Sequence, residues 1–499
     1  MSSSRWAFVV LAGLLAGCQA GPSAFNRAGD STDSSAVAEV SNDSLSSGPE
    51  TEAPAPTGEA ALATAEVGGP SANPSDDEPE STASDRPASP RASGPSSLRF
   101  PRPDAVRGIY LNAWASGSRS RVGSLLELAR RTEVNSFVVD IKDATGYLSH
   151  RSEVPMALEV GATEEIRIRD LPGLLDTLEA EGIYPIARIV IVKDPLLAAA
   201  RPELAIQDTA SGVWVDSKGI IWLNPYDRRV WEYHVAIARE VAEMGFPEIQ
   251  WVYVRFPDAP QSDLARAEYP GAGDTERPEA LRAFFEYARD ELADLGVEVT
   301  ADVFGVTTSF SRDVGIGQVW EEFVDVVDVA LPMVYPSHYW TGSFGIDTPN
   351  AYPYEIVREA LEDAVRRSSR IEGAGRTRPW IQDFTLGQPR YEGPEVRAQI
   401  QASYDVGIDE WILWNPGSGY TEEALEPVGG FESEPLIRVG GQIVPVSRRW
   451  DFVDPVDPPE VIVVPDSVAV PDSAGAPVDA ASDTTSGRDT LTAGSTIRP

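Results

Sequence analysis

The chain has 499 residues, 42% of them hydrophobic, with 41 Lys+Arg against 78 Asp+Glu, a formal charge of −37 at pH 7, and a single cysteine. So acidic a chain repels phosphate backbones, which argues against a nucleic-acid partner. One thiol cannot form an intramolecular disulfide, so stability has to come from a hydrophobic core.

The chain opens with one positive side chain, Arg5, an apolar run over 6–15, and then Leu15-Ala16-Gly17-Cys18. This reads as a lipoprotein signal peptide (1–18) closed by a lipobox, because the apolar run is too short to span a bilayer. Cys18 is the expected lipid attachment site, and its acyl chains would anchor the protein to a membrane. With its thiol committed there, neither a thiolate metal site nor a cysteine nucleophile is expected. Gln19 is not the Asp that, in the general lipoprotein pattern, retains such proteins at the inner membrane, so an exported protein at the outer membrane or cell surface is expected. From 19 to 100 the sequence is Ser, Pro, Ala, Gly, Asp and Glu with almost no aromatic residue, a composition that predicts a disordered tether. The C-terminal extension, 426–499, contains the short repeat Val464-Pro465-Asp466-Ser467 and Val470-Pro471-Asp472-Ser473 and is predicted to be mostly disordered past 459.

Between these flanks, 104–425 matches one domain. Eight short runs rich in Val, Ile and aromatic residues lie at 106–114, 135–143, 184–194, 248–257, 297–305, 327–336, 378–385 and 410–416. Amphipathic stretches at 122–131, 171–181, 229–244, 279–295, 354–367 and 394–405 alternate with them. Repeated βα units of this kind predict the α/β class and a (β/α)8 TIM-type barrel. The segment 337–353 is too rich in Gly, Pro and aromatic residues for a helix and reads as a long loop over the barrel top.

In such a barrel the reactive groups gather at the carboxyl ends of the strands. Seven of the eight runs end in residues that folding does not require: Asp140, Lys142 and Asp143; Lys193 and Asp194; Tyr253 and Arg255; Asp302; Tyr335, Ser337 and His338; Gln382 and Asp383; Trp414 and Asn415. Two of the three lysines of the chain, Lys142 and Lys193, stand on this rim. A lysine there either orients a ligand or a carboxylate, or makes a plain salt bridge, for Lys142 to Asp140 or Asp143. Aromatic rings at Trp114, Trp222, Tyr335, Tyr339, Trp340, Trp380 and Trp414 suit sugar faces, or else cap the core. His150, His234 and His338 are the only histidines and have no HExxH spacing, and GxSxG, Walker and GxGxxG motifs are absent. No metal and no cofactor is expected; carboxylates and aromatics remain.

The strand-end motifs are Arg107-Gly108-Ile109-Tyr110, Asp140-Ile141-Lys142-Asp143, Ala187-Arg188-Ile189-Val190 with Lys193-Asp194-Pro195, Tyr253-Val254-Arg255-Phe256-Pro257, Ala301-Asp302-Val303-Phe304-Gly305, Pro332-Met333-Val334-Tyr335-Pro336-Ser337-His338-Tyr339 and Pro379-Trp380-Ile381-Gln382-Asp383-Phe384. Together they resemble the glycoside hydrolase domain family DUF4015 over about 106–424. The resemblance implies an α-amylase-like (β/α)8 barrel and a polysaccharide or oligosaccharide substrate. In the family the fourth strand resembles Phe-Asp-Tyr-Val-Arg-Phe-Pro, whereas this chain has Val252 where that Asp is expected. The Asp resembles the nucleophile of a retaining glycosidase, a role valine cannot fill.

The reading that follows is a hydrolase with Asp302 as general acid/base and Asp140 or Asp383 as the second carboxylate. Asp258 is a further possible replacement. Lys142, Lys193, Asp194, Arg255, Tyr335, His338, Trp340, Gln382 and Trp414 are the expected substrate-binding residues. Two alternatives stand beside it: a barrel that binds carbohydrate or scaffolds the envelope without cleaving, and a barrel enzyme holding a divalent cation on Asp140, Asp143 and Asp194.

Overall fold

The computed structural model describes residues 99–455 apart from Ser211; the lipobox with Cys18, the tether up to 98 and the chain past 455 lie outside the described residues. Eight parallel strands form the barrel: β1 (Arg107–Leu111), β2 (Ser136–Lys142), β3 (Tyr184–Val190), β4 (Glu248–Val252), β5 (Glu298–Phe304), β6 (Val329–Met333), β7 (Trp380–Gln382) and β8 (Trp411–Trp414). Each pairs with its neighbour in chain order. β8 closes the ring on β1, with Gly108 opposite Ile412, while Trp380 of β7 meets Met333 of β6. β2 and β3 are buried along their whole length, as expected of parallel strands covered on both faces.

Six helices cover the sheet: α1 (Arg119–Arg131), α2 (Leu171–Ala180), α3 (Arg228–Met244), α4 (Arg277–Leu292), α5 (Pro353–Ser368) and α6 (Gly393–Asp405). Their starts are written locally. The side chains of Ser118, Asp170 and Asp227 cap α1, α2 and α3, and α4 and α6 begin with reciprocal Glu276–Glu279 and Glu392–Glu395 capping boxes. After β5 come a 3-10 turn, Gly305–Thr308, and the four-residue helix Trp320–Phe323. The segment after β6 is a chain of three short 3-10 turns, which is the long top loop expected from its composition. After β8 comes no covering helix but an antiparallel hairpin, β9 (Leu436–Val439) and β10 (Gln442–Pro445). Its Ile437 and Val439 are buried, Arg438 Nε donates to Glu395 Oε1 at 2.6 Å, and the Gly440 N–H donates to Glu355 Oε1 at 2.6 Å.

Two interior features set the frame. At the amino-terminal end, Arg378 is wholly buried between Glu248 and Glu410, 2.8 Å from each, and Thr300 Oγ1 adds a bond to Glu248 at 3.1 Å. Arg102, from the segment leading into β1, also reaches Glu410 and Glu298. This ionic plug belongs to the stability face of the barrel rather than to chemistry. At the other end, Gly305 lets β5 approach β6 closely: a Cβ there would lie 2.5 Å from the Met333 carbonyl oxygen.

Candidate active site

Because side chains alternate along a strand, Thr300, Asp302 and Phe304 of β5 share one face, as do Glu248, Gln250 and Val252 of β4. The plug marks that face as the barrel interior, so Asp302 stands above the ionic layer. Its Oδ1 accepts N–H bonds from Gln250 Nε2 at 2.5 Å and Trp380 Nε1 at 2.7 Å, and its Oδ2 lies 3.6 Å from Arg188 Nε. Arg188 reaches Asp140 Oδ1 with Nη1 at 2.8 Å, and the Tyr110 hydroxyl donates to Asp140 Oδ2. One guanidinium therefore bridges two interior carboxylates.

Burial pushes the Asp302 carboxyl up to about 6, against the opposing pull of Arg188, Trp380 and Gln250. Burial also raises Asp140, while Arg188 works the other way. Flat rings enclose the network. Trp414 lies on Tyr110 at 4.2 Å between centroids and meets Trp380 edge-on at 5.5 Å, and the Arg188 guanidinium stands 5.2 Å from the Trp414 centroid. Asp302 and Asp140 thus come together with Trp414.

The other expected residues divide. Asp383 also rises to about 6 through burial, but its two oxygens accept from the Thr421 N–H at 2.8 Å and the Thr421 hydroxyl at 2.6 Å. That geometry ties β7 to the loop after β8 and sets Asp383 apart from the shared guanidinium. Asp258 is exposed beyond β4. Val252 is buried at the upper, inward position of β4.

Lys142 and Asp194 are corrections. A register irregularity in β2 between Asp140 and Lys142 re-aims the lysine. Its ammonium lies 2.9 Å from Asp194 Oδ2 and 3.0 Å from the Val190 carbonyl, with both side chains 0% exposed. Burial, with the Lys142 charge adding to it, depresses the imidazole of His234 on α3. Asp194 Oδ1 meanwhile caps the helix Pro195–Ala200 through the Leu197 N–H at 2.8 Å. Both are structural, and the salt-bridge reading of Lys142 holds with a different partner from those expected. Gln382 is a further correction: its amide oxygen accepts from the Ser337 N–H at 3.1 Å and its amide nitrogen donates to the Phe384 carbonyl at 2.9 Å, so it joins two loops and does not face a ligand.

Tyr335 is buried edge-on to His338 and Phe384 at 5.4 and 5.9 Å, and His338 is exposed beside it. Trp340, 54% exposed, meets Phe310 at 5.8 Å on the rim, and Trp114 is 69% exposed under the Arg167 guanidinium. Lys193 and Arg255 stand together over Trp222 and Tyr253. The three-Asp cation reading fails because each carboxylate answers to its own cation: Asp140 to Arg188, Asp143 to Arg167 and Asp194 to Lys142. Among the described residues no group of three or more His, Cys, Asp or Glu could hold a metal ion. Two hollows open at the amino-terminal rim, away from the carboxylates: one of about 400 Å³ lined by Arg107, Tyr404 and Asp409, and one of about 520 Å³ lined by Val365, Arg376 and Asp409.

Tyr110, Arg188 and Gln250 were missed as site residues. Arg188 had a signal: a lone cation in the apolar run Tyr184–Val190 needs a buried carboxylate partner.

A model of the family described as "Putative glycosyl hydrolase domain" (DUF4015) matches residues 108–420. The chain belongs to this family. The matched span holds Tyr110, Asp140, Arg188, Gln250, Asp302, Trp380 and Trp414, so the whole network is a feature of the family domain in this chain. Among solved structures, a hypothetical protein from Ruminiclostridium thermocellum ATCC 27405 is 38% identical over 39% of this chain and 97% of its own, with a TM-score of 0.36. The PgaB (BpsB) glycoside hydrolase domain from Bordetella bronchiseptica is 14% identical over 63% and 95%, with a TM-score of 0.45. The glycoside hydrolase domain of PelA from Pseudomonas aeruginosa is 13% identical over 64% and 97%, with a TM-score of 0.37. No curated protein matches. Residue roles in this member of the family rest on its own geometry.

Proposed function

We propose that the protein is a glycosidase whose two working carboxylates are Asp302 and Asp140, acting on a polysaccharide. The observation that carries this reading is their shared partner: Arg188 touches both, at 2.8 and 3.6 Å. A single guanidinium spans only a short distance, and a bridge of this kind is compatible with the roughly 5 to 9.5 Å that two-carboxylate glycosidases use. Asp302, pushed up to about 6 by burial, carries a proton to the leaving oxygen in mildly acidic solution. Asp140, held by Arg188 and Tyr110, supplies the second, ionised group. The half-buried ring of Trp414, backed by Tyr110, offers a flat face to a sugar. With the lipobox at 15–18, the activity belongs on this reading at a membrane surface, on a glycan of the envelope or surroundings.

The test is release of reducing ends from a panel of polysaccharides by the unaltered protein and by Asp302→Asn, Asp140→Asn and Asp383→Asn. Asp302→Asn and Asp140→Asn should each cost several orders of magnitude in rate while oligosaccharide binding persists, and Asp383→Asn should cost far less. Turnover should fall as pH rises through about 6, where Asp302 loses its proton. Equal loss in all three variants, or loss in Asp383→Asn alone, refutes the assignment.

One observation favours the non-catalytic alternative. Val252 puts an apolar side chain at the inward top of β4, and the Asp302 side chain is only 1% exposed. A barrel that binds oligosaccharides tightly yet releases no reducing ends at any pH would decide for that reading.

A further inference from the structure

The barrel mouth carries aromatic rings that the core does not use. Among the described residues Trp114, Trp340 and Trp450 are the only exposed tryptophans, and the first two stand on the carboxyl-terminal rim. Trp114 follows β1; Phe310 follows β5, is 43% exposed, and meets Trp340, which follows β6. In a closed ring of eight strands β1 and β5 lie half a turn apart, as do β2 and β6. Trp114 and the Phe310–Trp340 pair therefore belong to opposite sides of the mouth, with Asp140 of β2 and Asp302 of β5 between them.

Both platforms are held in place by polar side chains. Arg367 Nη1 donates to the carbonyls of Thr307, Thr308 and Phe310 at 2.7, 2.7 and 3.0 Å, which fixes the backbone that presents the Phe310 ring. On the far side, Asn112 accepts from the Ala115 N–H at 2.8 Å and donates to the Pro416 carbonyl at 2.9 Å, so the short helix Ala113–Gly117 is pinned at its start. Its end is pinned as well, because a Cβ at Gly117 would lie 2.0 Å from the Arg167 carbonyl oxygen. The Arg167 guanidinium then stands between the rings of Trp114 and Tyr147, 5.2 and 5.6 Å from their centroids, and 2.9 Å from Asp143 at the end of β2. One exposed ring is ordinary on a protein surface. Two fixed platforms on facing sides of one mouth are what a chain lying across it requires.

The polar surroundings speak for a sugar. Ser311, Arg312, His338 and Thr341 are exposed beside Phe310 and Trp340, and Arg167 and Asp143 adjoin Trp114. A membrane or a protein partner grips a continuous apolar patch, whereas here the apolar surface is split in two. A pyranose ring has one flat C–H face and an edge of hydroxyls, which matches an aromatic face with hydrogen-bonding groups alongside.

We propose that a glycan chain lies across the mouth from Trp114 to the Phe310–Trp340 pair, so that the protein takes an interior stretch of a long polysaccharide rather than a chain end. This rests on the carbohydrate reading above and specifies the form of its substrate.

Affinity is measured by calorimetry on the full-length protein, in its Asp302→Asn form wherever the unaltered one cleaves. The probes are xylan, mixed-linkage β-glucan, galactomannan, chitosan and alginate, each with a size ladder of its own oligosaccharides. At least one polymer should bind, with affinity rising along its ladder until the chain reaches both platforms and level beyond that length. Trp114→Ala and Trp340→Ala should each weaken the long chain about tenfold. The double variant should weaken it about a hundredfold, since sites on opposite sides of the mouth do not couple. Trp450→Ala should leave binding unchanged, because its neighbour Arg449 pairs with Asp405 at the far end of α6. The substituted side chains stand largely in solvent, and melting curves confirm that each variant is folded. Absence of binding to every polymer, binding indifferent to both rings, or dependence on one side alone overturns the proposal. So does loss of binding to phosphatidylethanolamine–phosphatidylglycerol vesicles, or of self-association, in variants whose glycan affinity is unmoved. Where a polymer is cleaved, viscosity should fall well before reducing ends accumulate. Stepwise release of small sugars from one end sinks the crossing path and leaves the glycosidase reading standing. Binding across both platforms without cleavage does the reverse.

Discussion

Asp302→Asn should gain stability relative to the unaltered protein as pH rises, even as it removes turnover. The carboxyl is carried from its ordinary 3.8 to about 6 by burial. Its folded-state value is raised, so its contribution to stability is fully present below about 3.8 and is lost as pH rises through about 6. At about 1.36 kcal/mol per pH unit, that loss comes to about 3 kcal/mol. Asparagine keeps the size and cannot ionise, so it escapes the loss. Whatever fixed cost the amide brings beside Arg188, Gln250 and Trp380 is the same at every pH. Denaturant unfolding of wild type and variant at pH 4 and pH 8 isolates the effect, because Asp383 and the other groups away from the Arg188 bridge titrate alike in both proteins and cancel. At pH 4 the unfolded aspartate is already about half ionised, so the stability difference should move in favour of the variant by about 2.5 kcal/mol between the two pH values, with a change of a few degrees in melting temperature in the same direction. A difference that stays flat from pH 4 to pH 8 would show that the Asp302 carboxylate is comfortably solvated or fully neutralised by Arg188, and the argument for a proton-carrying acid would fall with it.

Lys142→Met should lower stability by about 3–5 kcal/mol, because Asp194 is left charged and buried, while KM for any cleaved glycan stays put; a KM effect without a stability effect would restore its ligand-binding role. Arg378→Met strands Glu248 and Glu410 in the barrel floor and should cost about 3–5 kcal/mol in denaturant unfolding at pH 7, with turnover per folded molecule unchanged; a loss below about 1 kcal/mol would mean that the plug is idle. Cys18→Ser should abolish incorporation of labelled palmitate, and labelling that survives it would remove the lipoprotein reading.

The barrel was legible because its signals are local. A fully buried parallel strand reads as a continuous apolar run, as in the Tyr184–Val190 and Ser136–Lys142 segments, and helix starts announce themselves through residues such as Asp170 and Glu276. Asp302 was legible for the same reason, as a carboxylate near the carboxyl end of its strand, where folding does not require one. The failures share a different cause. Whether Lys142 faces the cleft or the helix layer depends on a single irregularity in β2, and its partner Asp194 arrives from the end of β3. The choice between Asp140 and Asp383 turns on Arg188 and Thr421, distant in sequence from the carboxylates that they hold. The Gln382 amide is spent on Ser337 and Phe384 for reasons visible only once the loops are placed. Position on the rim can be counted along a strand; the direction of a side chain there is settled by residues from other strands.

The hairpin β9–β10 bears on how this domain is cut out for laboratory work. The family match ends at residue 420 and a count of βα units ends at 425, yet Ile437 and Val439 are packed into the core and Arg438 sits on Glu395, a side chain that also belongs to the capping box of α6. A fragment ended at either boundary would bare the flank of α6, leave Glu395 without its arginine and strip Glu355 of the Gly440 N–H, its carboxyl already raised by burial. Such a fragment would be prone to stick to itself through that face, and poor behaviour in solution would then be misread as a property of the barrel. Ending it after 455 keeps the patch that the natural chain carries.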